Sequence, residues 1–183
     1  PETCKNCVEG HKVLAKLTKK IDNKTYVADC LKILGHKDDA GIDILSIAYK
    51  YGIDQDFSPE TIKELDKIPE EVNEKDLVDR KDLTNEMIFT IDGADTKDID
   101  DAISLTMKNG IYTLGVHIAD VSHYVKENTA LGDDAYNRGT SAYLADTVIP
   151  MIPHKLSNGI CSLNEGAIRL TMSCVMISIK MAM

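Results

Sequence analysis

The sequence predicts an α+β fold, a mixed sheet with helices, and three observations carry that expectation. Residues 12–18 and 25–34 place β-branched and apolar residues in rough alternation on either side of the turn-forming pair Asp22-Asn23. From Glu86 onward the chain shows short apolar runs of strand length: Met87–Ile91, Ala102–Met107, Ile111–Ile118 and Ser141–Ile149. Helical spacing appears in separate stretches before and among these runs. With 183 residues, 43% hydrophobic and 28% charged, the chain suffices for one globular domain or for one and a fraction, with a sizeable core.

The two alternating segments read as a hairpin, which is marginal alone and must belong to a larger sheet or pack on the next segment of the chain. In residues 38–57, Ile42, Leu45, Ile47, Ala48 and Tyr51 fall close to helical spacing, and Gly52 is a C-terminal stop. Ser58-Pro59-Glu60 starts a second helix: a hydroxyl to cap amides, proline in the first turn, then an acid. Ile62, Leu65 and Ile68 supply its expected buried stripe before Pro69. Thr129–Arg138 reads as a third helix, Pro150, Pro153 and Gly159 punctuate the region beyond it, and Thr171–Ile179 is a further apolar strand.

The formal net charge of −9 argues against indiscriminate nucleic-acid binding, but the charge is uneven. The first 37 residues hold eight lysines against four acids, whereas residues 54–79 hold ten acids against three lysines. A solvated helix face and linker accounts for that acidic stretch. No apolar run approaches the ~18 residues of a membrane span, and Pro1–Lys5 lacks the blocks of a signal peptide. The odd count of five cysteines has no framework spacing, so reduced thiols in a cytoplasmic protein are expected.

The densest chemical feature is the segment Thr90–Ala102, with Asp92, Asp95, Asp98, Asp100 and Asp101 offset only by Lys97. Carboxylates packed this closely repel one another unless cations enter or some protonate. Mg²⁺, which favours a few carboxylates plus waters and phosphate oxygens, suits such a cluster, and Mn²⁺ is an alternative. If Asp98–Asp101 is extended, Asp98 and Asp100 share one face while Asp101 turns to the other. An acidic surface loop is the plain alternative. A calcium loop of the EF-hand kind fits poorly: counting from Asp92, the sixth position is Lys97 in place of glycine and the twelfth is Ile103 in place of glutamate.

Five ordered blocks over roughly 80 residues carry a resemblance. Ile91-Asp92-Gly93 with Asp98-Ile99-Asp100-Asp101-Ala102 is succeeded by Gly115–Ser122, Asn137–Leu144, Val148–Pro153 and Leu156–Asn164. Together they resemble the ribonuclease II / ribonuclease R family of exoribonucleases. The resemblance implies processive, metal-dependent hydrolysis of RNA from its 3′ end to nucleoside 5′-monophosphates. On it, Asp92, Asp98, Asp100 and Asp101 match the family's active-site aspartates. Asp92, Asp98 and Asp101 would hold metal, Asp100 would share the metal site and be most critical for catalysis, and Asp95 has no required role. Tyr143 matches a tyrosine that packs against terminal nucleotides of single-stranded RNA, although by itself it reads as a core aromatic.

The same resemblance divides the chain into residues 1–37, the closing strands of an OB-like cold-shock barrel that binds single-stranded RNA; residues 38–79, a helical acidic connector; and residues 80–183, the N-terminal half of the catalytic domain. The remaining half, with its arginine and acidic residues, and an S1-type RNA-binding domain are expected in the full-length protein. Residues 144–183 offer only Lys155, Arg169 and Lys180 as fixed cations, none in the motif context of the family's arginine, so little processive turnover is expected of this stretch alone. A metal- and RNA-binding module without turnover is the alternative reading, and a calcium-buffering protein a distant third.

Two further patterns are weaker. Cys4-x-x-Cys7-x-x-x-His11, with Cys30 further on, can be drawn as a zinc site, but one cysteine pair without a second at fixed spacing favours a structural role. His117, Asp120 and His123 recur at three-residue intervals, yet the segment reads as strand and turn, so His117 is expected to pack or hydrogen-bond locally.

Overall fold

The computed structural model describes Cys4, residues 6–145 and residues 147–178. In chain order its elements are β1 (His11–Lys20), β2 (Tyr26–His36), α1 (Ile42–Lys50), α2 (Pro59–Leu65), β3 (Ile88–Phe89), β4 (Asp101–Lys108), β5 (Ile111–Ala119), α3 (Ala130–Arg138), β6 (Ala142–Tyr143), β7 (Val148–Ile149) and β8 (Thr171–Ser178). Two compact units result: residues up to Asp56 with Ser141–Ile149, and Phe57–Thr140 with the residues from Pro150 on.

In the first unit, β1 and β2 pair antiparallel with three register shifts. Their connection closes because the Asp22 carboxylate accepts the amides of Lys24 and Thr25 at 2.7 and 2.8 Å, a local bond that favours a turn over continued strand. The amide of Lys24, followed by Thr25, holds that carboxyl below its ordinary range. Helix α1 ends where Gly52 takes a φ of 76°, which lets the chain reverse while the Ile53 amide bonds back to the Ala48 carbonyl at 3.0 Å. Lys32 on β2 donates to the Tyr49 hydroxyl of α1 at 2.6 Å and pairs with Asp56, tying the helix to the hairpin. The expected strand Ser141–Ile149 is instead the short pair β6 and β7, closed by the Leu144 amide on the Thr147 carbonyl at 2.9 Å. In the sequence, polar residues interrupt the apolar run in mid-course.

The second unit is built on a four-stranded sheet in the order β3-β4-β5-β8, every pairing antiparallel. Strands β4 and β5 form a tight hairpin through Asn109 and Gly110, both at positive φ (55° and 76°), the pair that a two-residue turn of matching twist demands. Its core gathers Ala119, Leu131, Ala135, Ile152, Leu156, Ile160 and Cys161, with Leu65, Ile68 and Val72 packed alongside. Leu156 and Ile160 lie one turn apart on a π-type helical segment, Lys155–Ile160, where the sequence shows only punctuating residues.

Helices α2 and α3 cap each other. The Glu64 carboxylate accepts the amides of Ala130 and Leu131 at 3.2 and 2.9 Å, at the start of α3, while Asp134 of α3 accepts the Ser58 amide at 2.9 Å, at the start of α2. Each carboxylate thereby meets amides left without intrahelical partners and the positive end of a helix. Ser58 caps Thr61 as the sequence predicts, at 3.1 Å. The buried stripe of α2 differs from expectation: Ile62 is 44% exposed and Thr61 takes the interior position. Thr61 tolerates burial because its hydroxyl accepts from Ser58 at 2.9 Å.

Among the described residues, no helix is long and apolar enough to cross a membrane.

Candidate active site

The aspartate segment runs from the end of β3 into the first residue of β4. The Thr96 amide closes a turn on the Gly93 carbonyl at 3.0 Å, after which Asp98, Ile99 and Asp100 lead, outside regular secondary structure, into β4. Ile99 is half-buried and its amide donates to the Ser162 hydroxyl at 3.1 Å, while its carbonyl accepts the Leu163 amide at 2.8 Å. The Ser162 hydroxyl in turn donates to the Lys97 carbonyl at 2.8 Å. The Asp100 carbonyl accepts the Ala119 amide at 2.8 Å, and Asp101 pairs with Ile118 in the sheet. The backbone is thus fastened on both sides of Asp98 and on through Asp101, while Ser162 itself is only 1% exposed.

The carboxylates of Asp92, Asp98, Asp100 and Asp101 are all on exposed residues. Asp92, Asp100 and Asp101 enter none of the salt bridges of the described residues. The structure lines the four up along one short segment but does not draw them tightly together: among the described residues, the ligand atoms of no three of them lie within 4.8 Å of one another. Mutual repulsion of the carboxylates gives them no reason to draw closer. The donor set, all carboxylate oxygen, is one that would suit a hard divalent cation.

Tyr143, on β6, is 69% exposed, so the reading as a core aromatic does not hold for it. His117 behaves as expected for local bonding: it is 3% exposed, with one ring nitrogen 3.0 Å from the Ser104 hydroxyl of β4 and the other 2.8 Å from the Ser173 hydroxyl of β8. This bridge across three strands needs a bare neighbour. A Cβ on Gly115 would come within 2.5 Å of the Ser104 oxygen and 2.8 Å of the His117 ring.

Asp120 is buried and accepts from Arg80 at 2.6 Å and from Ser122 at 2.7 Å. Burial works to raise its carboxyl, but the hydrogen bonds from Arg80 and Ser122 outweigh it and hold it below the ordinary range. The cations noted in the sequence serve the backbone. Arg169 donates to the carbonyls of Ser162 and Ile168, both at 2.9 Å, and Lys155 donates to the Leu65 carbonyl at 3.0 Å. Lys180 lies outside the described residues. Ser162 and Arg80 escape sequence reasoning as positioning groups. Ser162 stands inside the block Leu156–Asn164, but nothing in the spacing points its hydroxyl at a loop 63 residues earlier.

Residues 80–179 match the RNB domain. The chain belongs to the RNB family. Residues 1–58 match the cold shock domain, so the β1/β2 hairpin lies in the cold-shock match and the aspartates, Ser162 and the Arg80–Asp120 pair lie in the RNB match. Ribonuclease R of Thermotoga maritima is 52% identical over 180 residues, covering 96% of this RNB chain and 25% of that protein. Ribonuclease R 1 of Lactococcus lactis is 54% identical over 146 residues, covering 79% of this chain and 18% of the other. Mycoplasma genitalium RNase R, solved in complex with double-stranded RNA, superimposes with a TM-score of 0.82 at 30% identity over 96% of this chain and 32% of that one. The RNB chain therefore spans a quarter or less of the length of these curated relatives.

Proposed function

We propose that this chain carries the aspartate side of a metal-dependent, hydrolytic 3′ to 5′ exoribonuclease site of the ribonuclease R type, acting on single-stranded RNA in the cytoplasm and releasing nucleoside 5′-monophosphates. The observation that carries the reading is the segment Asp98–Asp101, whose backbone is held by Ser162, Leu163 and Ala119 while its carboxylates face outward. Such a segment can present charge to a ligand without first paying the entropy of ordering its own backbone.

Asp92, Asp98 and Asp101 hold Mg²⁺ or Mn²⁺, and Asp100 shares that site at the position most sensitive to loss of charge. Bound there, the cation would polarise the scissile phosphoryl group and lower the pKa of an attacking water. Tyr143 offers an exposed aromatic face on which a base of the RNA 3′ end stacks. Residues 1–37, rich in lysine, contribute strands of a cold-shock barrel that tracks the RNA backbone, residues 38–79 connect, and residues 80–183 form the N-terminal half of the catalytic domain.

A second reading, metal and RNA binding without turnover by these 183 residues alone, is favoured by one observation. Arg169 and Lys155 donate to backbone carbonyls, so neither is placed to meet charge developing on a phosphoryl oxygen. Digestion of single-stranded RNA with and without Mg²⁺, on protein sized by gel filtration, separates the two. Binding without release of mononucleotides supports the module reading for this length of chain, and conversion to mononucleotides by monomeric protein refutes it.

A further inference from the structure

The sulfurs of Cys4, Cys7 and Cys30 lie within 4.8 Å of one another. Cys4 and Cys7 are joined as a disulfide, against the sequence expectation of reduced thiols throughout, and Cys4 Sγ lies 3.0 Å from Cys30 Sγ. Cys30, Cys161 and Cys174 stand outside any disulfide of the described residues. The arrangement has a local cause. The Cys7 amide bonds the Cys4 carbonyl at 3.1 Å, a turn that brings both sulfurs to one side, and Cys30 of β2, opposite Ala15, faces that turn.

His11, which the spacing Cys4-x-x-Cys7-x-x-x-His11 offers as a fourth ligand, goes elsewhere. It pairs with His36, four positions along β1 from the Ala15–Cys30 pair, a displacement of about 13 Å at strand rise. Its Nδ1 accepts the Val8 amide at 3.3 Å. The fold therefore rejects the ligand that the motif suggests and supplies Cys30, which lies 23 residues beyond Cys7 and which no spacing rule selects.

We propose that in the reduced chain Cys4, Cys7 and Cys30 form a three-thiolate site for Zn²⁺, with solvent in the fourth position. Zn–S bonds of about 2.3 Å in a tetrahedron place sulfurs about 3.8 Å apart, a spacing the observed cluster reaches by small side-chain rotations. Thiolates select this cation over the hard ions suited to the aspartates, so the chain holds two cation sites of opposite preference. The thiolate site pins the segment before β1 to the middle of β2. The same sulfurs have two states. Two electrons and two protons convert the Cys4–Cys7 disulfide to thiols, supplied by a dithiol that is itself oxidised to its disulfide. Binding then releases one proton from each of the three thiols.

The test uses the full chain reduced with dithiothreitol, freed of reductant under nitrogen and titrated with Co²⁺ as a coloured stand-in for Zn²⁺. One Co²⁺ per chain should bind with thiolate-to-cobalt charge-transfer absorption that Zn²⁺ bleaches and Mg²⁺ does not. Cys30→Ser should weaken binding by about 100-fold or more, while Cys174→Ser should bind as the parent does. X-ray absorption of the zinc-loaded parent, which does not rely on a variant folding, should show three sulfur neighbours at about 2.3 Å. Absence of charge-transfer absorption, equal binding by Cys30→Ser, or fewer than three sulfur neighbours would overturn the proposal and leave Cys4–Cys7 as a disulfide only.

Discussion

The Ser162 hydroxyl accepts the Ile99 amide at 3.1 Å and donates to the Lys97 carbonyl at 2.8 Å, bracketing Asp98 from both sides. A single buried hydroxyl thus uses both its donor and its acceptor on the segment that carries the candidate metal ligands, and Arg169 steadies it by donating to the Ser162 carbonyl at 2.9 Å.

Ser162→Ala should therefore cost more than an average hydroxyl deletion. It leaves the half-buried Ile99 amide without its acceptor, a loss of about 1–3 kcal/mol, and lets the aspartate segment move. Urea unfolding should show the loss of stability, and Mn²⁺ calorimetry should show weaker binding with a larger entropic penalty. Unchanged metal affinity in a destabilised variant would mean that Ser162 supports only the fold.

Gly115→Ala probes the support beneath that segment. The added methyl meets the Ser104 oxygen and the His117 ring at distances no Cβ tolerates, so the bridge from β4 to β8 must part. A loss of about 1–3 kcal/mol is expected from the overpacking. A thermal midpoint within a degree of the parent would show that the sheet absorbs the methyl by other means.

Stability should fall on the acid side. The amides of Leu131 and then Ala130 hold Glu64 below its ordinary value, and for Asp120 and Asp134 hydrogen bonds outweigh the upward push of burial. Each folded-state pKa is lowered, so the ionised forms favour the fold. Their contribution is complete above the unfolded values of about 3.9–4.3 and is lost as pH falls through the lower folded values. Urea midpoints should stay level from neutral pH to about 5 and drop below about 4. Asp120→Asn should start lower, because Arg80 loses its partner, and drop less steeply. Parallel curves would show that Asp120 is not one of the groups responsible.

In a chain extended by the rest of the catalytic domain, Asp100→Asn should abolish hydrolysis while RNA binding survives, since an amide keeps the shape but brings no negative charge to the cation. Loss of RNA affinity in step with rate would assign the residue to substrate or fold. Tyr143→Ala should instead change the length of the end products, read on a denaturing gel, with chain cleavage retained.

Much of this fold is legible because the signals are local. The Asp22 turn, the Ser58 cap with Pro59 and the stop at Gly52 each depend on a few neighbouring residues. The aspartate segment and the strands beside it are legible for the same reason. What the sequence hid depends on partners distant in the chain. Glu64 and Asp134 exchange caps over more than sixty positions, and Arg80 reaches Asp120. The run Ser141–Ile149 misled because apolar content alone does not separate one strand from two short ones that pair with each other.

Everything proposed for the site depends on Asp92, Asp98, Asp100 and Asp101 holding a divalent cation. The decisive measurement is calorimetric titration of Mn²⁺ into the parent and into the Asp92→Asn/Asp101→Asn double variant, both shown to be folded by circular dichroism. Saturable binding is expected of the parent and should be lost in the double variant, whose two remaining aspartates of the set are too few to hold the ion. Equal binding by the two proteins would contradict a role for these aspartates as ligands.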